Sequence, residues 1–436
     1  KPLAAQHYNV LRETLSLPED AFALFTGSTK AAQRKVLWNT ARVITATPQT
    51  IEKELEKGRF DLSGVSLLVV DETHRAVSSY SYVKIAEKYF EQRRNPLVLG
   101  ITASPSAEHI REICSNLRIA NVEARTEKDP DVAPYVHRKD SDRLYVDLPP
   151  EMSAIQESIK GFIRDETEKL KQFNLGFTAL TRKRELLDLQ AYCIRVKNFP
   201  GIIHTTAALK AYHALELIET QGVEPFLEYL KALHKQDTKS VRIMRNDPRF
   251  AKSELVAEKL LADGKEHPKV EALKQLLAES LQAKPLLKAI VFSHYRGGAR
   301  KIEATLNSLP GVRAVRFVGQ SSREGDKGLN QEEQQQIIQE FRAGAYNTLC
   351  CTSVGEEGLD LPSVDLVVFY EPVPSEIRKI QREGRTGRKA PGRVVTLITR
   401  GTRDESNFYT ARAKEKKMRA ALEALKEPQK KLDMWG

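Results

Sequence analysis

The chain of 436 residues carries 41% hydrophobic and 29% charged residues, a composition that excludes a disordered, collagen-like or fibrous polymer. Its four cysteines, Cys114, Cys193, Cys350 and Cys351, form no CxxC or Cys/His cluster, so reduced thiols are expected and a structural zinc is not. No run of 18 apolar residues is present, which argues against a membrane span, and the net charge of +11 points to a polyanionic partner, nucleic acid first.

Residues 1–126 open with "KPLAAQHYNV", which reads neither as a signal peptide nor as a fresh start. Then come "ARVITATP" (41–48), "VSLLVVDE" (65–72) and "PLVLGITAS" (96–104), short apolar runs ending in small or polar residues. Such runs between amphipathic helices predict a parallel sheet covered on both faces, with chemistry at the carboxyl ends of its strands. Residues 127–262 differ. "EMSAIQESIKGFIRDETEKLKQF" and "TTAALKAYHALELIETQGVEPFLEYLKALHKQ" are apolar at helical spacing and predict a helical unit, entered after "LYVDLPPE" (144–151). Over 263–410 the alternation returns in "KAIVFSHY" (288–295), "VRAVRFVG" (312–319), "YNTLCCTS" (346–353), "VDLVVFYEP" (364–372) and "GRVVTLIT" (392–399), a second parallel sheet. Residues 411–436 read as a basic amphipathic helix and tail. The fold class is therefore α/β, two parallel-sheet domains flanking a helical one.

The chemistry concentrates at strand ends. In "LLVVDETHRA" (67–76) a buried strand runs into Asp71 and Glu72, with His74 two residues on. An acid after such a strand suits Mg²⁺, which prefers hard oxygens, and the next carboxylate can take a proton from an attacking water. A bare acid pair is more often a polar strand end or helix cap, but three further strings shift that balance. "GITASP" (100–105) places the hydroxyls of Thr102 and Ser104 at another strand end. "QREGRTGR" (381–388) sets Arg385 and Arg388 three residues apart beside glycines, suited to neutralising charge on a triphosphate. "TSVGEEGLDLP" (352–362) offers close backbone approach and Asp360 for a ribose hydroxyl.

Together these strings resemble superfamily 2 helicases, whose two RecA-like domains bind ATP in the cleft between them. "DETH" resembles motif II, "TAS" motif III, "CTSVGEEGLDLP" motif V and "QREGRTGR" motif VI; "KPLAAQH" (1–7), "TATPQTIE" (45–52) and "VFSHYR" (291–296) resemble motifs Ia, Ib and IV. The longer strings "RFVGQSSREGDKGLNQEEQQQIIQEFRAG" (316–344) and "TSVGEEGLDLPSVDLVVFYEPVPSEIRKIQREGRTGR" (352–388) are similar to archaeal Hef helicases, kin of the Fanconi anaemia M protein. The resemblance implies ATP and Mg²⁺ as cofactors, with Asp71 on the metal and Glu72 on water. It implies that His74 and Gln381 communicate across the cleft, that Thr102 and Ser104 couple the domains, and that Arg385 and Arg388 act as arginine fingers. Gly358 and Asp360 would line the nucleotide. Lys1, Pro2, Thr47, Pro48, Ser293, His294, Gln320, Thr352 and Ser353 would line a DNA track, mostly on phosphates. The insert would be thumb-like and grip forked or branched DNA, in an archaeal cytoplasm beside the nucleoid.

One element of the pattern is absent. GxxxxGK[ST], the phosphate-cradling loop, occurs nowhere in the sequence. The expectation is a truncated first domain, poor ATP binding and scant hydrolysis by this chain alone; no nuclease signature is present either. Two other readings stay open: an RNA-directed DExH helicase akin to the innate-immune RNA sensors, and a nucleic-acid-binding scaffold that has lost catalysis.

Overall fold

A computed structural model describes residues 2–103, 108–127, 129–135, 137, 139–172, 183–322, 326–355, 361–387 and 390–426. The first lobe runs α1 (Pro2–Thr14), β1 (Phe22–Phe25), α2 (Ala31–Thr40), β2 (Val43–Ala46), α3 (Pro48–Glu56), β3 (Leu68–Asp71), α4 (Ser81–Gln92), β4 (Val98–Ile101) and α5 (Ile110–Asn116). Its strands pair in parallel as β1–β2 and β3–β4, two separate ladders rather than one sheet. Phe25 packs against Trp38 and Phe60 beneath the first ladder. The second ladder buries one face only. Val70 packs with Ala76, Ala86, Ile113 and Leu117, whereas Leu67, Val69, Leu97, Leu99 and Ile101 are 45–60% exposed. The period-2 alternation of a strand puts these five side chains on one side. The expectation that both faces would be covered is therefore corrected for this ladder.

After β5 (Lys139–Val146) the chain enters six helices: α6 (Pro150–Lys171), α7 (Lys183–Arg195), α8 (Phe199–Thr220), α9 (Val223–His234), α10 (Lys239–Arg245) and α11 (Pro248–Ala262). Local signals set their starts. The Asn198 side chain accepts from the Gly201 N–H, Thr238 from Val241 and Asp247 from Arg249, with proline in the first turn of α8 and α11. Met152, Ile155, Ile159 and Phe162 repeat every three or four residues along α6 and face Ala207, Ala211, Ala214 and Ile218 of α8, all fully or almost fully buried. The alanines let the two helices approach closely. Burying each large apolar side chain contributes roughly 1.5–3 kcal/mol.

The second lobe comprises α12 (Pro268–Ala283), β6 (Ala289–Phe292), α13 (Arg296–Leu306), β7 (Ala314–Phe317), α14 (Gln331–Ala343), β8 (Thr348–Cys351), β9 (Leu366–Phe369), α15 (Glu376–Glu383), β10 (Gly392–Thr399) and α16 (Arg403–Lys426). Its sheet has six parallel strands in the order β5-β10-β9-β6-β8-β7. Strands β6, β8 and β9 are buried throughout, the continuous apolar reading of a sheet covered on both sides.

Two sequence boundaries shift. Residues 139–146, placed with the helical unit, form an edge strand of the second sheet paired to β10 along its length. An edge strand needs only one apolar face, so "KDSDRLYV" carries too many charges to read as a strand. The helix assigned to 411 onward begins at Arg403, and its far end, at Ala421 and Leu422, packs on Ile110 and Cys114 of the first lobe.

Candidate active site

The acid pair stands at the carboxyl end of β3. The β3–β4 register aligns Asp71 with Ile101 and so brings residues 72–74 beside Thr102. The Thr73 hydroxyl donates to the Ile101 carbonyl at 2.7 Å, and His74 Nδ1 lies 3.2 Å from Thr102 Oγ1. Gly100 makes room for this, since a Cβ there would sit 2.7 Å from Thr73 Cγ2. Glu72 adopts φ 52, ψ 49, the left-handed region that a β-carbon disfavours by roughly 1–2 kcal/mol. That turn lets the Glu72 N–H donate to Asp71 Oδ1 at 2.8 Å and sets Glu72 Oε2 3.2 Å from His74 Nδ1. Glu72 Oε2 is buried with no hydrogen bond, and strained backbone of this kind concentrates at functional sites.

The remaining oxygen of Asp71 is held by His7 Nε2 of α1 at 2.8 Å. Sequence reasoning did not single out His7, and a lone histidine in an amphipathic helix gives no signal. Behind the acids, burial first and then the neighbouring Tyr80 and Asp71 push the Tyr82 phenol up to about 12. Asp71 offers hard carboxylate oxygens that suit Mg²⁺, but among the described residues no cluster of three His, Cys, Asp or Glu could hold a metal by side chains, at this site or elsewhere. The residues present fit a magnesium ion held largely through water.

On the second lobe, Gln381 lies on α15 and Arg385 in the turn after it, 7% exposed. The Val364 N–H donates to the Arg385 carbonyl at 3.0 Å and the Thr386 hydroxyl to the Val364 carbonyl, stitching this turn beside β9. The arginine between them, Arg382, is fully buried, its guanidinium 4.8 Å from the Phe292 ring centroid and 5.6 Å from that of Phe369. It anchors α15 against these two rings just before the turn, a role the motif string alone did not reveal.

The track residues divide. Thr47 caps α3, its hydroxyl 2.8 Å from that of Thr50, and Pro48 follows in the first turn. His294, Gln320 and Ser353 are exposed, and Thr352 is 6% exposed. Ser293 is a correction: it has no exposed surface, and its hydroxyl donates to Glu371 Oε1 at 3.1 Å, so it is not on a surface that nucleic acid can touch. Pro2 opens α1. Lys1, Ser104, Gly358, Asp360 and Arg388 lie outside the described residues.

Residues 1–113 match the DEAD/DEAH box helicase family and residues 268–390 the helicase conserved C-terminal domain. Between them, residues 154–264 match a helical-bundle family of ATP-dependent RNA helicases. The chain is 42% identical to the Hef helicase domain of Pyrococcus furiosus, with a TM-score of 0.70, covering 94% of this chain and 87% of that one. It is 33% identical over 442 residues to the ATP-dependent DNA helicase mph1 of Neurospora crassa, covering 94% of this chain and 37% of that protein. To the DEAD-box ATP-dependent RNA helicase FANCM of Arabidopsis thaliana it is 32% identical over 440 residues, covering 96% of this chain and 32% of that protein. The chain spans about half or less of the length of its curated relatives. Acids and histidine at the end of one parallel ladder, a buttressed arginine turn on the other sheet and a helical bundle between agree with these similarities: the chain belongs to the Hef/FANCM-type family of superfamily 2 helicases.

Proposed function

We propose that the chain is the motor core of an ATP-dependent DNA helicase or translocase that works on forked or branched DNA in replication-fork repair, inside the cell at the chromosome. The observation that carries this reading is the left-handed turn at Glu72, which holds one carboxylate beside another at a strand end. Asp71 would hold Mg²⁺, which would supply positive charge to neutralise the phosphates. Water attacks the γ-phosphorus, Glu72 takes the water proton, and the bond to the β–γ bridging oxygen breaks. Arg385 and Arg388 offset the charge that develops on the phosphoryl oxygens, and His74 with Gln381 relays the state of the cleft. Gly358 and Asp360 line the nucleotide, and Thr102 with Ser104 couples the lobes. Lys1, Pro2, Thr47, Pro48, His294, Gln320, Thr352 and Ser353 form a track that reads the sugar–phosphate chain. The name of the mph1 relative supports DNA as the substrate, whereas the name of the Arabidopsis relative favours a second reading, in which the track takes RNA.

The experiment is a competition of forked DNA, plain duplex DNA and duplex RNA for the full-length gene product, with ATP turnover measured on each. Forked DNA is expected to bind most tightly and stimulate most. A preference for duplex RNA would replace the DNA reading. Turnover that no nucleic acid stimulates would overturn the motor reading and leave a binding scaffold.

A further inference from the structure

Strands β6 and β9 pair with Phe292 opposite Phe369, and the Tyr370 N–H donates to the Phe292 carbonyl. That register brings the residues just beyond both strands together. Glu371, 5% exposed, accepts from the Ser293 hydroxyl at 3.1 Å on Oε1 and from the His294 backbone N–H at 3.0 Å on Oε2. The same Oε1 accepts from the side-chain amide of Gln221, which is 3% exposed and caps the end of α8 in the helical bundle. Gly298 of α13 leaves the space this needs, because a Cβ there would collide with both Gln221 Oε1 and Ser293 Oγ. Next to His294, Tyr295 packs against the bundle core and its hydroxyl donates to Glu216 of α8; burial first, and then the Glu216 charge and hydrogen bond, hold that phenol well above its ordinary range. A buried carboxylate with three donors is a demanding arrangement, and each lost partner leaves another polar group unpaired.

We infer that Gln221 and Glu371 are positioning residues. Through them the end of α8 fixes the backbone that presents the exposed His294 ring, so the bundle and the track residue His294 move as one piece. Nucleic acid that shifts the bundle thereby shifts the track. The inference rests on the nucleic-acid reading above.

The test exchanges donor and acceptor. Gln221→Glu sets a carboxylate against the carboxylate of Glu371, and Glu371→Gln sets an amide N–H₂ against that of Gln221. In the double variant, the amide at position 371 donates to the carboxylate at position 221 and to Ser293 Oγ, while its carbonyl accepts the His294 N–H. The Ser293 hydroxyl then donates to the Tyr295 carbonyl, which it already approaches at 3.4 Å. The readout is ATP turnover of the full-length gene product against concentration of a forked DNA, with thermal unfolding followed in parallel.

Each single variant is expected to raise the KM for forked DNA by about 10-fold, and the double variant to return it to within about 2-fold of wild type, as coupled neighbours do. kcat at saturating DNA should stay within about 2-fold throughout. A double variant no better than the singles, or singles with unchanged KM, overturns the inference. Gln221→Met removes the hydrogen bond without adding charge and replaces any variant that fails to fold; an unchanged KM in it is equally adverse. If wild type itself does not prefer forked DNA, the function reading fails. The positioning inference is then judged on whichever nucleic acid stimulates turnover.

Discussion

Lys269 and Asp404 form an ion pair in which both side chains have 0% exposure, and it pins the start of α12 to the start of α16. Asp404 Oδ2 also accepts the Thr399 N–H at 3.0 Å, and the Lys269 ammonium lies 5.4 Å from the centroid of the Tyr370 ring. Asp404 Oδ1 has no hydrogen-bond partner, so the pair is incompletely satisfied. Desolvating two charges consumes most of what their attraction returns, yet removing one leaves the other buried alone, at about 3–5 kcal/mol. Lys269→Met should therefore lower stability by about 3–5 kcal/mol, and for a unit of 150–250 residues the midpoint should fall by about 6–20 °C. Asp404→Asn keeps an acceptor for the Thr399 N–H but strands the ammonium, so a similar loss is expected. The double variant removes both charges and should lose less than the sum of the singles by about 2 kcal/mol or more. Urea and thermal unfolding of the four proteins, followed by circular dichroism, complete the cycle. Additive singles, or a Lys269→Met loss under about 1 kcal/mol, would refute the claim that this pair is a buried, mutually dependent couple.

Glu72→Gln should lower ATP turnover of the full-length gene product on forked DNA by about 100-fold or more while nucleotide binding persists, since a positioned base contributes about 10²–10⁴. Turnover within a few-fold of wild type would remove Glu72 from the water-activating role. His267 is 2% exposed, donates from Nε2 to the Glu219 carbonyl at 2.9 Å and accepts the Lys269 N–H at Nδ1, and its pKa is lowered to about 3, first by burial and then by the Lys269 charge. The unfolded chain protonates this ring below about pH 6.5 and the folded chain does not, so stability falls with pH between about 6.5 and about 3. At pH 4.5 this amounts to about 3 kcal/mol. His267→Asn retains a cap acceptor and should flatten the pH dependence of the urea midpoint by about one proton; parallel curves would contradict the assignment. Gly222 has φ +100, and a Cβ there would sit 3.0 Å from that of His267, so Gly222→Ala should destabilise by about 1–3 kcal/mol, an effect that chemical unfolding would reveal or deny.

What the sequence discloses depends on how far apart in the chain the cause lies. Asp71 and Glu72 are legible because a single strand carries the signal: an apolar run followed at once by two acids and a histidine. The helical bundle is legible because α6 and α8 repeat their apolar residues at the helical period. Ser293 was misplaced for the opposite reason. A hydroxyl at a strand end suggests a phosphate contact, and only the β6–β9 register shows it facing Glu371, 78 residues away. Arg382 and Arg385 look equivalent in the motif string, yet the rings of Phe292 and Phe369, from two different strands, enclose the first. Edge strand β5 hides behind its charges, and His7 has no local signature at all.

The end of the chain carries the same point into the mechanics. From sequence, the last helix is a basic, amphipathic appendage. In the structure it starts 8 residues earlier, at Arg403, whose guanidinium meets Glu216 of α8 at 2.8 Å and whose N–H reaches Glu219. Over 24 residues it spans about 36 Å at the α-helical rise of ~1.5 Å, and its far end docks on Ile110 and Cys114. One rigid rod thus touches the bundle, the second sheet and the first lobe. Its position is set by the buried Lys269–Asp404 pair, so loosening that pair should disturb the relation between the lobes as well as the stability of the second.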